Sequence, residues 1–195
     1  MAPQQKQPIY LPSSFEALRQ GEIISNLLQP KLRIDTLFSS EPTIKFEKHP
    51  FAIIVTQDCD LEQDFKARQF QKASDKLLPS ILFCQLTSAT DMRGRDEMGS
   101  DIWKRVKINK DERYHFFQKV KPEEDLLGEG LPELGADFKR YFAMPTEEVY
   151  ERLKSEAQRR CTFASPYLEH FCTRFAYYQF RIALPEDHFS EPVIQ

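Results

Sequence analysis

A short apolar run that follows a proline and stops at a set of polar residues constrains the fold more than any other segment. Residues 51–55 read Phe-Ala-Ile-Ile-Val, and Thr56 follows them directly. A buried strand that ends at the rim of a sheet has this pattern. We therefore expect a central strand over 51–56. Its end presents four rim residues, which are Gln57, Asp58, Cys59 and Asp60.

Other short apolar or alternating runs predict further strands, each bounded by proline, glycine or charged residues. These strands are expected over 21–28, 31–38, 43–46, 80–87, 113–120 and 136–143. Helices are expected over 100–107, 145–154 and 165–181, with helical or irregular structure over 61–74. Ser165 and Pro166 suit the N-cap and the first position of the last helix. The order predicts a mostly β protein with appended helices (α+β), built on a small, strongly curved barrel.

The chain of 195 residues has the length of one domain with an appendage. Residues 1–14 are expected to form a flexible N-terminal arm. Residues 15–155 are expected to form the barrel domain, with a charge-dense insertion at about 91–111. Residues 156–195 are expected to be a helical extension packed on the barrel.

Composition restricts the function. The net charge of −3 gives no general attraction to nucleic acid, so such binding requires a local basic patch. The four cysteines are far apart and form no CxxC pair, which favours free thiols in a reducing cytoplasm and predicts neither a metal nor a cofactor. The apolar runs are too short to span a bilayer, so no membrane partner is expected and the predicted location is cytoplasmic.

The order of three motifs resembles the MazF/PemK family of bacterial growth-inhibiting toxins. The motifs are Gly21-Glu22-Ile23-Ile24, then His49-Pro50 before the central strand, then the run from Ser80 to Ser88. Residues 137–141 before the helix that starts at Pro145 are similar to the family's last strand. The resemblance implies a small SH3-like, PemK-like barrel with C-terminal helices. It also implies a homodimer that cleaves single-stranded RNA.

Cleaving members of that family use an arginine before the strand proline and a threonine at the end of the next long strand. By position, the resemblance implies catalytic roles for His49 and Thr87. Histidine replaces arginine at the first position, and an imidazole that titrates near neutral pH is a weaker stabiliser of a phosphorane than a guanidinium. Lys48 is a neighbouring cation, and His49 itself can act in acid–base chemistry.

The expected contacts to nucleic acid lie mostly on the insertion. Thr87 and Ser88 can orient a phosphate, and cations around an aromatic ring can follow an RNA backbone. The insertion residues predicted to bind nucleic acid are Arg93, Arg95, Trp103, Lys104 and Arg105. Acidic residues lie between them, and a solvated loop of mixed charge is the competing interpretation.

Two functions follow. The first is a non-catalytic component of a bacterial toxin–antitoxin or defence system, which binds a protein partner or nucleic acid. The second is a sequence-selective, metal-independent endoribonuclease that cleaves single-stranded RNA. A third interpretation is a thiol enzyme built on Cys59 and a histidine such as His115; the carboxylates beside Cys59 oppose formation of a thiolate.

Overall fold

The computed structural model describes residues 7–70 and 74–180 of the chain. The strands are β1 (Tyr10–Pro12), β2 (Glu22–Leu32), β3 (Ile44–Ile54), β4 (Ser80–Ser88), β5 (Tyr114–Phe117), β6 (Leu134–Pro145) and β7 (Gln158–Phe163). They form one antiparallel sheet in the order β1-β7-β2-β3-β4-β6-β5. The α-helices of the described residues are α1 (Asp58–Phe70), α2 (Ala89–Arg93), α3 (Ser100–Lys107), α4 (Thr146–Ser155) and α5 (Tyr167–Gln179). The prediction of a mostly β protein with helices is confirmed.

The sheet curls until its two edges meet, but it does not close. Tyr10 of β1 donates its hydroxyl to the carbonyl of Gln118, just after β5, at 3.1 Å. Phe117 of β5 stacks on Phe163 of β7 with ring centroids 5.4 Å apart. In the described residues no backbone ladder joins β1 to β5, and both strands are short. The predicted closed barrel is therefore wrong: side chains bridge the edges where a barrel has paired backbones.

Helices cover both faces of the sheet, which explains the continuous apolar run in β3. Ile53 points into an aromatic core that α5 covers through Phe171. Its neighbour Ile54 points into a second core, which includes Leu61 of α1 and Val149 of α4. A strand that is buried on both faces needs apolar residues at every position.

The expected N-terminal arm (1–14) and the expected C-terminal extension (156–195) each contribute a strand to the sheet. Tyr10–Pro12, inside the expected N-terminal arm, pairs with β7. Strand β7 itself lies between β1 and β2, inside the expected C-terminal extension. The helix predicted over 165–181 is present as α5, but it begins at Tyr167, so Pro166 is the N-cap and the predicted capping by Ser165 is wrong. Positions 1–6 and 181–195 lie outside the described residues.

His115 lies in the aromatic core and is held neutral there. Its side chain is 3% exposed, and its ring meets Phe171 edge-on at 5.2 Å. Arg174 donates its Nε–H to Nδ1 at 3.2 Å. Burial is the main cause that lowers the pKa of His115 well below its usual value, and the Arg174 charge lowers it further.

We predict that the free energy of unfolding falls as the pH drops below about 6.5, and that His115 contributes to the fall. In that range the unfolded histidine takes up a proton that the folded one refuses, so acid favours the unfolded chain. His115→Gln keeps an acceptor for Arg174 and removes the titration. Urea unfolding at fixed pH values should show a slope shallower by up to about 1.4 kcal/mol per pH unit. His170→Gln, at an exposed position, is the control and should change the slope less.

Candidate anion-binding site

A bulge in β6 gathers charged side chains at one place. Ala136 pairs with Leu86 and Tyr141 pairs with Cys84, so β6 advances by five residues where β4 advances by two. Bulges bend a strand and change the direction of its side chains, often next to functional sites. Between these two pairs β6 has four residues, Asp137, Phe138, Lys139 and Arg140, where β4 has Gln85 alone.

Asp137 is the buried centre of the bulge. Its side chain is 1% exposed, and Arg113 donates to both carboxylate oxygens, from Nε at 2.8 Å and from Nη2 at 2.7 Å. The backbone N–H of Lys139 also donates to this carboxylate, at 3.1 Å. Bidentate arginine–carboxylate pairs of this kind are strong and fix the geometry of both groups. Hydrogen bonding to Asp137 raises the pKa of Arg113, which therefore remains charged.

Two more guanidinium groups approach the same carboxylate. Arg140 Nε lies 3.7 Å from Asp137 Oδ2, and Arg95 Nη1 lies 3.8 Å from it. We call Asp137, Arg95, Arg113 and Arg140 the Asp137 cluster. With three cations to one anion, it carries an excess charge of +2.

Two buried hydrogen-bond donors, one in the cluster and one beside it, are unused. Arg95 Nη1 and the Tyr114 hydroxyl are buried and have no hydrogen-bond partner in the described residues. Tyr114 is 4% exposed, and the Arg113 guanidinium lies 4.8 Å from its ring centroid. Burial and the Asp137 charge raise the pKa of Tyr114, so its hydroxyl keeps its proton. Excess positive charge beside unsatisfied donors suits an oxyanion such as a phosphate.

Thr87 is linked to this cluster, and His49 is not. Arg95 Nη2 donates to Thr87 Oγ1 at 3.1 Å, so two residues of the predicted site meet. His49 is 3% exposed, stacks on Phe142 with centroids 4.0 Å apart and hydrogen-bonds to Gln29. Burial lowers the pKa of His49 and favours its neutral form. Within the described part of the chain, His49 contacts Gln29 and Phe142, whereas the side-chain partner of Thr87 is Arg95.

The other predicted nucleic-acid contacts have mostly structural partners. Ser88 caps α2 by accepting the Asp91 N–H at 3.0 Å. Trp103 is 8% exposed and packs edge-on against Phe116, so the indole presents no open face to a base. Lys104 pairs with Asp101 and Arg105 pairs with Asp111. Arg93 and Lys48 are exposed.

Three of the rim residues, Gln57, Asp58 and Cys59, line one wall of a cleft of about 590 Å³ at the start of α1, and residues of α5 line the opposite wall. Asp58 is engaged there, because it accepts the Gln20 N–H at 2.7 Å and pairs with Arg19. Gln57 and Asp60 lie within hydrogen-bond range of the exposed Cys59 thiol.

Among the described residues, neither thiol of this cleft forms a hydrogen bond with a histidine. Burial and the Asp58 charge raise the pKa of Cys172 to about 11, which keeps that thiol protonated at neutral pH. Cys59, of the pair in the third interpretation, has Gln57 and Asp60 as its hydrogen-bond partners, and His115 has Arg174. His115 is enclosed by rings and Arg174.

The sequence pattern did not indicate Asp137, Arg113, Arg140 or Tyr114 as members of a site. One signal was available: Asp137 is the one charged residue in the run Leu134–Phe138, and a charge in such a run requires a partner if the run is buried. Which arginines would supply that partner depends on the bulge and on the fold of the insertion.

Comparisons with protein-family models, with curated proteins and with solved structures found no match to this chain. The resemblance to the toxin family therefore depends on the residues alone. Among the described helices none has both the length and the apolar character that crossing a membrane requires.

We predict that Asp137→Asn destabilises the fold by about 3 kcal/mol, because it leaves the arginines without their buried counter-charge. We expect the lower end of the usual range, since the Arg113 side chain is 33% exposed and water screens part of its charge. Urea denaturation at neutral pH measures the change. Asp101→Asn removes an exposed carboxylate of the insertion and should cost less than about 0.5 kcal/mol. Equal effects of the two variants would contradict the central role of Asp137.

Proposed function

We propose that the chain is a non-catalytic, nucleic-acid-binding component of a bacterial toxin–antitoxin or defence system, with single-stranded RNA as its ligand. The observation that carries the proposal is the Asp137 cluster, in which three guanidinium groups share one buried carboxylate. The motif resemblance to the MazF/PemK family supports the context. On this proposal the curled, open sheet is a divergent form of that family's small barrel.

Electrostatics favours a polyanion as the ligand. The whole chain has a net charge of −3, so attraction to a nucleic acid has to be local. Arg140 is half exposed and lies at the surface of the cluster, where it can meet a phosphate. The next residue, Tyr141, is 48% exposed and offers a ring on which an unpaired base can stack. Glu97 opposes binding, since its charge acts on Tyr114 beside the cluster.

We predict that Arg140→Gln weakens binding of a single-stranded RNA oligonucleotide several-fold. The loss of one phosphate contact should also reduce the slope of log affinity against log salt by about 0.7. Glu97→Gln should act in the opposite direction and tighten binding, because it removes a negative charge. Fluorescence anisotropy over a range of salt concentrations measures both effects.

Lys66→Gln on α1 is the matched control for charge, since Lys66 is exposed and pairs with Glu62 of its own helix. It should leave the affinity and the salt slope unchanged. Equal weakening by Arg140→Gln and Lys66→Gln would show that the affinity for RNA depends on the total charge of the protein and not on the cluster.

One contact favours the endoribonuclease as a second candidate. The family's cleaving members pair an arginine with a threonine, and here Arg95 donates to Thr87 although the position before Pro50 holds His49. An arginine from the insertion would then take the place of the family's arginine and stabilise the charge on a cleaved phosphate. The buried, stacked His49 would have no part in this chemistry.

For this second candidate we predict that purified protein cleaves single-stranded RNA, and that Thr87→Ala and Arg95→Gln each abolish cleavage. His49→Gln should leave cleavage intact. Gel analysis of an end-labelled RNA, with anisotropy on the same RNA, separates cleavage from binding. RNA that stays intact while it binds to the wild-type protein excludes the endoribonuclease and favours the non-catalytic function.

A further inference from the structure

The hairpin of β2 and β3 extends beyond the body of the sheet. Strand β2 pairs with β7 only over residues 22–25, and β3 pairs with β4 only over residues 51–54. From the pair Leu27–His49 to the pair Leu32–Ile44, the backbones of the two strands hydrogen-bond only to each other within the described part of the chain. We call residues 27–49 the β2–β3 arm.

The arm exposes apolar side chains that a monomer would leave in water. Register places Leu32 opposite Ile44 and Pro30 opposite Phe46, so the pleat puts these four on one face. Leu32 is 52% exposed, Ile44 59% and Phe46 49%. At the tip, Ile34 is 83% exposed and Phe38 95%. A cluster of this kind marks an interaction surface.

The root of the arm is fixed to the body. Gln29 donates its side-chain N–H to the carbonyl of Ala143 at 3.3 Å, and His49 stacks on Phe142. The Arg152 guanidinium lies 5.1 Å from the centroid of the Phe46 ring. The arm therefore has a defined orientation before it meets a partner, which reduces the entropy cost of binding.

One edge of the arm suits strand addition better than the other. Pro30 removes a backbone donor from β2, as proline does on protected edges. Residues 44–49 of β3 contain no proline. The open backbone edge of β3 is thus the better template for another strand.

We propose that the arm is a homodimer surface, in which β3 pairs antiparallel with β3 of a second copy about a two-fold axis at Phe46. The charge pattern supports a second copy as the occupant. Pairing centred on Phe46 places Lys45 of each copy opposite Glu47 of the other, and Phe46 opposite Phe46. Glu47 already pairs with Lys31 of its own copy. A carboxylate has acceptor sites for both cations.

Reversal of one charge tests this register, with sedimentation equilibrium of the full chain as the measurement. In Lys45→Glu, two carboxylates face each other at both pairs; in Glu47→Lys, two cations do. We expect the wild type to dimerise in the micromolar range and each variant to dimerise at least about tenfold more weakly. High salt should reduce the difference, because it screens these exposed charges.

The two variants also complement each other. An equimolar mixture puts opposite charges together at both pairs and should restore dimerisation as a heterodimer, which tagged copies reveal. The double variant Lys45→Glu/Glu47→Lys should regain homodimerisation. Circular dichroism melting of every variant checks that the fold is intact. Heterodimer formation on mixing is a second check, because misfolded chains would not dimerise in this way.

A wild-type chain that stays monomeric through the micromolar range would overturn the proposal and leave the arm to a different protein. A dimer that tolerates both single reversals would also overturn it, because the copies would then meet through another surface.

Discussion

The bidentate pairing of Arg113 with the Asp137 carboxylate is the contact on which this end of the fold depends. Burial of a carboxylate costs several kcal/mol unless hydrogen bonds and a counter-charge compensate for it. Arg113 supplies both, and it does so from the start of β5, the edge strand. A backbone hydrogen bond of the same arginine also fixes the bulge of β6 against its neighbour, since Phe138 donates its N–H to the Arg113 carbonyl at 2.9 Å.

The insertion packs against this fixed edge as a small third core. Met92 of α2 and Trp103 and Val106 of α3 pack there with Tyr114 of β5. The position of Arg95, between α2 and α3, follows from that packing. The charge-dense insertion therefore has an apolar core of its own. Lys104 and Arg105 form local ion pairs, and Arg95 joins the Asp137 cluster.

Local features of the fold could be predicted from the sequence. Helix α3 was predicted over 100–107, where it lies, and β4 extends the predicted strand by one residue. Both depend on short-range periodicity. Strand β3 was instead predicted as two pieces, over 43–46 and over 51–56, with Pro50 at the entry to the second. The proline is accommodated because it lies at the level of Asn26, which adopts a left-handed φ of 57° in the opposite strand.

Features that depend on distant contacts could not be predicted. Closure of the sheet requires β1 to pair with β5. These strands are far apart in the sequence, and the pattern of apolar residues within each strand does not indicate whether the two pair. The candidate site shows the same limit. Sequence position put His49 beside Thr87, whereas the fold puts Arg95 there, since the register of β4 and the packing of the insertion decide which side chains meet. His49 instead anchors the arm on Phe142.

The exposed edges of the sheet differ in how well they are protected against pairing with another strand. A long exposed edge promotes association with other strands, so folds shorten, cover or pair their edges. Strand β1 has three residues, and β5 has four, with α3 packed beside it. The edge of β3 in the arm is longer than either and has no such cover in the described residues. The edge strands β1 and β5 are thus protected against pairing with other chains. The open edge of β3, with its self-complementary charges, is therefore better explained as a site where two copies associate.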